Sequence, residues 1–443
     1  MQLLALTLVA WTHAGWGLFL RLAVPRGWGR AASAPPAASA PSPIVSVVVA
    51  AYAEEAVIAG TVRALLAQDH VCEVVVACDG SPDATAQRAR AAGAHVVLEL
   101  PRGGKHAAQA AAVARAGGSL LAFCDANTTW EPGALTALVA VFDDSMVGYA
   151  CGHVSFVRAG DAAAPNQEGA YWALELATRR LESSWHSVTA GNGGIYALRA
   201  ELWPQLRTDL GHDLALPHQV VRRGLLAVDV PGARARELMV PSLEGEWRRK
   251  RRMMARMWGI VARDPRAGGL LDPRGLPPRY LLALASHRWL RYASPGLHVV
   301  ALSVGVASVI RGRAGRVDRA LLAAQLAVLA GAAAPSPAPR GAAPLAPSDA
   351  PSGAAPLGTP HGAAPLGTPA SSPAPGGAAA PSPAPPGSKT EPDRTSVRRR
   401  LRARPFLLCR YYVLMTASIA AGGLDRLRDG APTAGWAPAE GTR

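Results

Sequence analysis

Three short clusters carry the chemistry this sequence can do. Asp125-Ala126-Asn127 closes an apolar run, Ser119 to Cys124, which turn-forming residues bound on both sides. That run predicts a buried strand. In open α/β sheets, ligands gather beyond the carboxyl ends of strands. Two oxygen-bearing side chains with one residue between them can there share a hard cation such as Mg²⁺ or Mn²⁺. Such a cation can neutralise a diphosphate as it leaves. Asp and Asn at a strand end also cap turns and helices, so the pair alone leaves both readings open. Lys105 follows Gly103 and Gly104 at the start of a helical pattern. Backbone amides and an ammonium can meet a phosphate together in that setting. The spacing is not that of a Walker motif, and a solvated surface lysine is the plain alternative. The third cluster is Thr189-Ala190-Gly191-Asn192-Gly193-Gly194. Its small residues let backbone approach a substrate closely, and a simple hairpin would use them too.

The elements around these clusters alternate. Ile44 to Ala50 is a β-branched strand, followed by a helical pattern over about 56 to 68. Glu73 to Ala77 predicts a second strand, with a helix over about 83 to 92. His95 to Glu99 predicts a third, with a helix over about 106 to 117 before the strand that ends at Asp125. Strands alternating with helices imply a parallel sheet covered on both faces. Met146 to Val157 continues as a sheet segment, and residues 167–184 have helical spacing.

Val-Ser-Val-Val-Val-Ala-Ala-Tyr52-x-Glu54-Glu, Val-Val-Val-x-x-Asp79-Gly-Ser, Gly-Gly-Lys105 and Cys-Asp125-Ala-Asn127-Thr occur in that order. The series resembles family 2 glycosyltransferases, and within them the membrane-embedded, polysaccharide-synthase-like branch. The resemblance spans about 44 to 292 and is much more specific than any single motif. It implies an α/β chain of GT-A type, with a parallel-rich sheet flanked by helices and transmembrane helices at both ends. It also implies a nucleotide-sugar donor held by Tyr52, Glu54, Asp79, Lys105 and Asp125. An exposed Glu54 or Asp79 can accept hydrogen bonds from uracil or ribose donors, or stand as a plain cap. The implied metal ligands are Asp125 and Asn127, for Mg²⁺ or Mn²⁺. Asp213 matches the family's catalytic base, and a carboxylate at a helix start is held ready for that work. It could equally be an N-cap. The Gly-rich segment around Gly193 corresponds to one beside the acceptor site. Arg249 and Arg252 stand where the branch has a Gln-x-x-Arg-Trp motif that binds acceptor end and diphosphate. That stretch also suits a basic helix lying on anionic lipid. The sequence departs from the pattern at Ala53 (often Asn), Asn127 (often Asp), His212 (usually acidic) and in the missing Gln and Trp.

Net charge is +15 over 443 residues, mostly from Arg, with 49% hydrophobic residues. The balance calls for an anionic partner. Basic residues lie beside apolar segments without interleaved aromatics, so a bilayer rather than nucleic acid is expected. The five cysteines form no CxxC pair, which argues for a reducing compartment and against zinc. Residues 1–24 predict an uncleaved anchor, with Arg21, Arg26 and Arg30 behind it setting a cytoplasmic side. A linker follows over 25–43, then a cytoplasmic glycosyltransferase domain over 44–265. Residues 266–334 predict an interfacial segment at Ser286 to Tyr292 and apolar runs at 295–310 and 320–334. These runs form spans or a re-entrant pair. Residues 335–397 are Pro/Ala-rich with an eight-residue repeat, Gly353 to Pro360 and Gly362 to Pro369, and predict a disordered linker. Residues 398–443 carry a basic run, a last apolar segment and a tail.

Taken together these features predict a multi-pass inner-membrane enzyme. It would transfer a sugar with inversion from a nucleotide sugar, UDP-linked by expectation, to a growing glycan. The alternatives are single transfer to a polyprenyl-type lipid, and a non-catalytic scaffold of glycan synthesis.

Overall fold

The computed structural model describes residues 1–25, 44–69, 72–157, 167–206, 210–238, 243–261, 269–333 and 394–429. The chain opens with α1 (Gln2–Ala23), an apolar helix with a π turn at Trp11–Gly15. Trp16 and Leu20 are buried on one side of it, while Leu18 and Leu22 are exposed on the other.

The sheet begins with β1 (Val45–Ala51), whose seven residues are all buried. Valines dominate it because both of its faces are covered. Helix α2 (Ile58–Leu66), β2 (Cys72–Asp79), α3 (Thr85–Ala91), β3 (Val96–Leu100), α4 (Lys105–Val113) and β4 (Leu120–Asp125) follow in strict alternation. β1 pairs in parallel with β2 and β4, and β2 with β3, as the alternation requires. The second half is mixed. It comprises β5 (Thr128–Trp130), α5 (Ala134–Ala140), β6 (Val147–Val157), α6 (Gln167–Trp185), β7 (Tyr196–Arg199), α7 (His212–Arg222) and β8 (Leu226–Leu238). The eight strands form one sheet in the order β3-β2-β1-β4-β7-β6-β8-β5. β7 runs antiparallel to β4, which places the loop before β7 beside the carboxyl end of β4.

Each face of the sheet has its own core. Ile58, Val62, Leu135 and Leu138 cover one face; Leu216, Val220, Tyr280 and Leu284 belong to the other. Four further helices follow: α8 (Leu243–Val261), α9 (Pro278–Ile310), α10 (Arg316–Ala333) and α11 (Arg394–Asp429). α8 is tied to α11 by the Arg251–Asp425 ion pair and by Trp258 Nε1, which donates to the Ile419 carbonyl at 2.8 Å. One compact unit comprises Met1–Ala333 with Arg404–Arg443; of the other, Ala334–Ala403, residues 394–403 are described and are helical.

The segment Ser286 to Tyr292 is continuous with α9 rather than a separate helix. His287 and Arg288 there are 1% and 9% exposed, because carboxylates on α6 draw them inward. Among the described residues, Gln2–Ala23 and Pro278–Ile310 are the helices long and apolar enough to cross a membrane. The expected span at 320–334 falls largely in α10, which carries Arg316, Asp318 and Arg319 at its start. The linkers at 26–43 and 335–393 and the tail from 430 lie outside the described residues.

Candidate active site

Two glycine amides close on the carboxylate at the end of β2. Asp79, the last residue of that strand, is 1% exposed. Its Oδ1 accepts from the Gly103 amide at 2.6 Å, and both its oxygens accept from the Gly104 amide at 3.0 Å. Gly104 sits at φ 91°, a backbone state closed to most other residues. Asp79 therefore anchors the loop that starts α4, and Arg102 completes its charge balance at 3.3 Å. The expectation of exposed carboxylates is corrected: Asp79 and Glu54 are both buried, Asp79 because the amides of Gly103 and Gly104 close on it. Tyr52 lies under the Arg102 guanidinium, 3.2 Å from ring centroid to Cζ. Neither Tyr52 nor Asp79 lines the central cavity, whereas Glu54 does. Ala53 has φ 53°, the one positive φ among the described non-glycine residues. Asn tolerates that conformation better than Ala, which accounts physically for the family's preference there.

A cavity of about 430 Å³ opens where β4 ends. Lys105, the first residue of α4, points its ammonium at Asp125 and forms an ion pair with it. Burial alone would lower the Lys105 pKa, but the charge and hydrogen bond of Asp125 outweigh it and raise the value. Asn127 and Glu237 line the same space, and Thr128 pairs with Glu237 across β5 and β8. Asp125, Asn127 and Glu237 supply only oxygen donors, a set that suits a hard divalent cation. Among the described residues, no group of three or more His, Cys, Asp and Glu is placed to hold a metal alone.

The loop 189–194 crosses over this pair. A Cβ at Gly193 would lie 3.2 Å from Asp125 Oδ2 and 3.6 Å from Lys105 Nζ, so only glycine lets the backbone come so near without displacement. The Gly191 amide donates to the Asp213 carbonyl at 2.7 Å. Asn192 donates to the Gly152 carbonyl and accepts from the Ile195 amide at 3.0 Å, which fixes the loop's far end. Asp213 lies in the first turn of α7 and lines the cavity. Burial pushes its carboxyl above the usual range, the Asp125 charge adds to this, and Lys105 opposes it.

His212 is 4% exposed, with Phe123, Tyr196 and Trp203 edge-on around it. Tyr196 Oη lies 2.6 Å from its Nδ1. Burial raises the Tyr196 phenol well above its usual range, so the phenol stays protonated and can donate to that nitrogen. His212 is thus held in place beside the base position, not exposed on the surface.

Helix α8 closes the opposite wall. Arg249 pairs with Glu246 at 2.9 Å and Arg252 lines the cavity. Arg256 follows one turn later, among Met253, Met257, Met415 and Ile419. The structure thus gathers Glu54, Lys105, Asp125, Asn127, Gly193, Asp213, Arg249 and Arg252 around one space, and leaves Tyr52 and Asp79 behind the loop that supports it. The sequence reading missed His106, Gln109, Glu237, Arg288 and Arg291 as lining residues. His106 and Gln109 share the helix of Lys105, which was a signal; Glu237, Arg288 and Arg291 reach the site only through long-range packing.

The family model of glycosyl transferase family 2 matches residues 46–202, which hold all but the last of these strands. No curated protein matches the sequence. A mannosyltransferase from Pyrobaculum calidifontis, solved with GDP-Man and Mn²⁺, is similar in fold at 19% identity, over 97% of this chain and 99% of that one, with a TM-score of 0.58. Glucosyl-3-phosphoglycerate synthase from Mycobacterium tuberculosis is 23% identical over 49% of this chain and 79% of its own, with a TM-score of 0.36.

Proposed function

The chain is a glycosyltransferase with a family 2 domain at residues 46–202, and from that premise we propose that it moves a sugar from a nucleotide sugar to a membrane-held acceptor, with inversion. One observation carries this reading. Asp125, Lys105, Gly193 and Asp213, which come from four separate segments, line a single cavity at the strand ends of a parallel half-sheet.

The roles follow from the chemistry. Asp125 and Asn127, with Glu237 as a further oxygen donor, would hold Mg²⁺ or Mn²⁺. When bound, the ion supplies counter-charge to the departing diphosphate. The Lys105 ammonium, already at the Asp125 carboxylate, adds positive charge where the leaving group accumulates negative charge. Asp213 takes the proton of the acceptor hydroxyl as that oxygen bonds to the anomeric carbon and the bond to the diphosphate breaks. Its raised pKa makes it a stronger base than a solvated carboxylate. The donor is proposed as UDP-linked. The similar mannosyltransferase was solved with GDP-Man, so both nucleotides belong in the test.

The proposed setting is the inner membrane, with the catalytic domain cytoplasmic and a growing glycan as acceptor. Leu3, Leu4, Leu18 and Leu22 on α1, and Val299, Val306, Val309 and Ile310 on α9, are exposed apolar side chains that lipid would cover. A lipid-linked acceptor is the second reading. It is favoured by the cavity wall of Arg252 and Arg256 among methionines, which suits an anionic head on an apolar chain. Membranes given each nucleotide sugar, with product mass and anomeric configuration measured, test both. Extension by many sugars supports the glycan reading, and one sugar on lipid supports the second. Retention of configuration would overturn the mechanism.

A further inference from the structure

A carboxylate outside the proposed chemistry joins three distant parts of the chain. Glu182, near the end of α6, is 0% exposed. Its Oε1 accepts from Trp16 Nε1 of α1 at 3.0 Å and lies 2.7 Å from His287 Nδ1 of α9. Its Oε2 accepts from the Thr189 amide at 3.2 Å and from the Thr189 hydroxyl at 2.8 Å. One oxygen thus holds the two apolar helices, and the other holds the first residue of the glycine loop. Arg288 Nε donates to the same Thr189 hydroxyl at 2.9 Å, so α9 reaches the loop by a second route. Burial opposes the charge on Glu182, but His287, Arg288 and the Trp16 indole hold its carboxyl below the usual range, so it is ionised.

Beyond Thr189 the loop has little freedom before it reaches the site. Two residues on, the Gly191 amide holds the Asp213 carbonyl. Two residues further, Gly193 meets Asp125 and Lys105. A loop of small residues loses much entropy when ordered, so it needs fixed ends. Asn192 and Trp130 fix the far end, the latter by donating to the Gly194 carbonyl at 2.9 Å. Glu182 fixes the near end.

We propose that Glu182 is a positioning residue through which the docking of α1 and α9 sets the placement of loop 189–194 over Asp125 and Asp213. The proposal rests on the reading of that cavity as the transfer site, but its first measurement does not. Trp16→Phe keeps an aromatic ring opposite Phe19, whose ring centroid lies 5.5 Å from that of Trp16, and removes the Nε1–H together with the rest of the five-membered ring; the thermal midpoint reports the packing lost at this buried position. Glu182→Gln keeps the shape and removes the charge.

The test is hydrogen exchange by mass spectrometry on the full chain in detergent or lipid, beside donor kinetics and a thermal midpoint. In Trp16→Phe, peptides covering 189–194 should exchange roughly tenfold faster, with those of β1 and β4 unchanged. kcat should fall by roughly tenfold with donor KM nearly constant, as for a displaced reacting geometry. The double variant should resemble Glu182→Gln alone, because both act through one carboxylate. Unchanged loop exchange in both single variants overturns the proposal. So does faster exchange spread evenly over loop and sheet, or additive effects in the double variant. If the loop responds as expected while the wild type transfers no sugar, the positioning inference stands and the functional reading falls.

Discussion

Gly193→Ala is a single methyl aimed at the centre of the site. The new Cβ would stand 3.2 Å from Asp125 Oδ2 and 3.6 Å from Lys105 Nζ. The second distance is ordinary contact; the first is too short by a few tenths of an ångström. The Gly193 φ is not in the left-handed region, so the backbone accepts alanine and the strain falls on the carboxylate. Misplacing a reacting or stabilising group by about 1 Å costs on the order of 100-fold in rate. A few tenths should cost roughly 3- to 10-fold, and the methyl also fills space that the diphosphate needs. We expect kcat/KM to fall by about 10- to 100-fold in total, with stability changed by under about 1 kcal/mol. Gly191→Ala is the control. Its Cβ would lie 2.1 Å from Tyr149 Oη, a fully buried side chain, and should cost about 2 kcal/mol or more in stability. Donor turnover and thermal melting of both variants, in the same lipid, separate the effects. Wild-type turnover in Gly193→Ala would refute the claim that the diphosphate is handled between loop 189–194 and Asp125.

Asp213→Asn should leave donor binding intact and reduce transfer by about 10²- to 10⁴-fold, read by calorimetry beside product formation. Because burial raises the Asp213 carboxyl, wild-type activity should fall as pH drops through that raised value, where the base takes up its proton. A pH profile whose acidic limb survives in the residual activity of Asp213→Asn would assign that limb elsewhere. Ala53→Gly relieves a left-handed alanine, worth about 1–2 kcal/mol, against about 0.5–1 kcal/mol of added chain entropy. A net gain of about 0.5 kcal/mol should appear in the melting midpoint, and a clear loss would show that the strain is absent. Glu175→Ala would remove the carboxylate that Arg288 and Arg291 share, 3.0 and 2.5 Å away in the wild type. A loss of about 3 kcal/mol or more is expected. Burial opposes the Glu175 charge, but Arg291, His287 and Arg288 hold its carboxyl well below the usual range. Its stabilisation is therefore present above the usual carboxylate pKa and is lost as pH falls through the lowered value, which an acid titration of the melting midpoint would follow.

The parallel half of the sheet was legible because alternation is local. Val45–Ala51 and Leu120–Asp125 are short apolar runs with turn signals at their ends, and such runs state their own conformation. The ion pair between Lys105 and Asp125 was not legible in that way: Lys105 begins a helix and Asp125 ends the next strand, and their contact appears only once the sheet is assembled. Exposure did not follow from pattern. Asp79 looks like a free strand-end carboxylate, yet the amides of Gly103 and Gly104 close on it, a contact between residues more than twenty positions apart. Ser286 to Tyr292 looked interfacial because Trp, Arg and Tyr sit together there. The carboxylates that bury His287 and Arg288 lie on α6, over a hundred residues earlier, and nothing in the local composition signals them. The same holds for Trp16, whose partner Glu182 is 166 residues away.

The central claim is that Asp125 organises a metal-dependent departure of a nucleoside diphosphate. Its most direct test is nucleoside diphosphate released from UDP- and GDP-sugars by the full chain in lipid, with Mn²⁺ or Mg²⁺ and then with chelator, for the wild type and Asp125→Ala. The wild type should release the nucleotide from at least one donor only when the cation is present. Asp125→Ala should be slower by about 10²-fold or more at every cation concentration. Release that persists in chelator, and that Asp125→Ala leaves unchanged, would contradict the account.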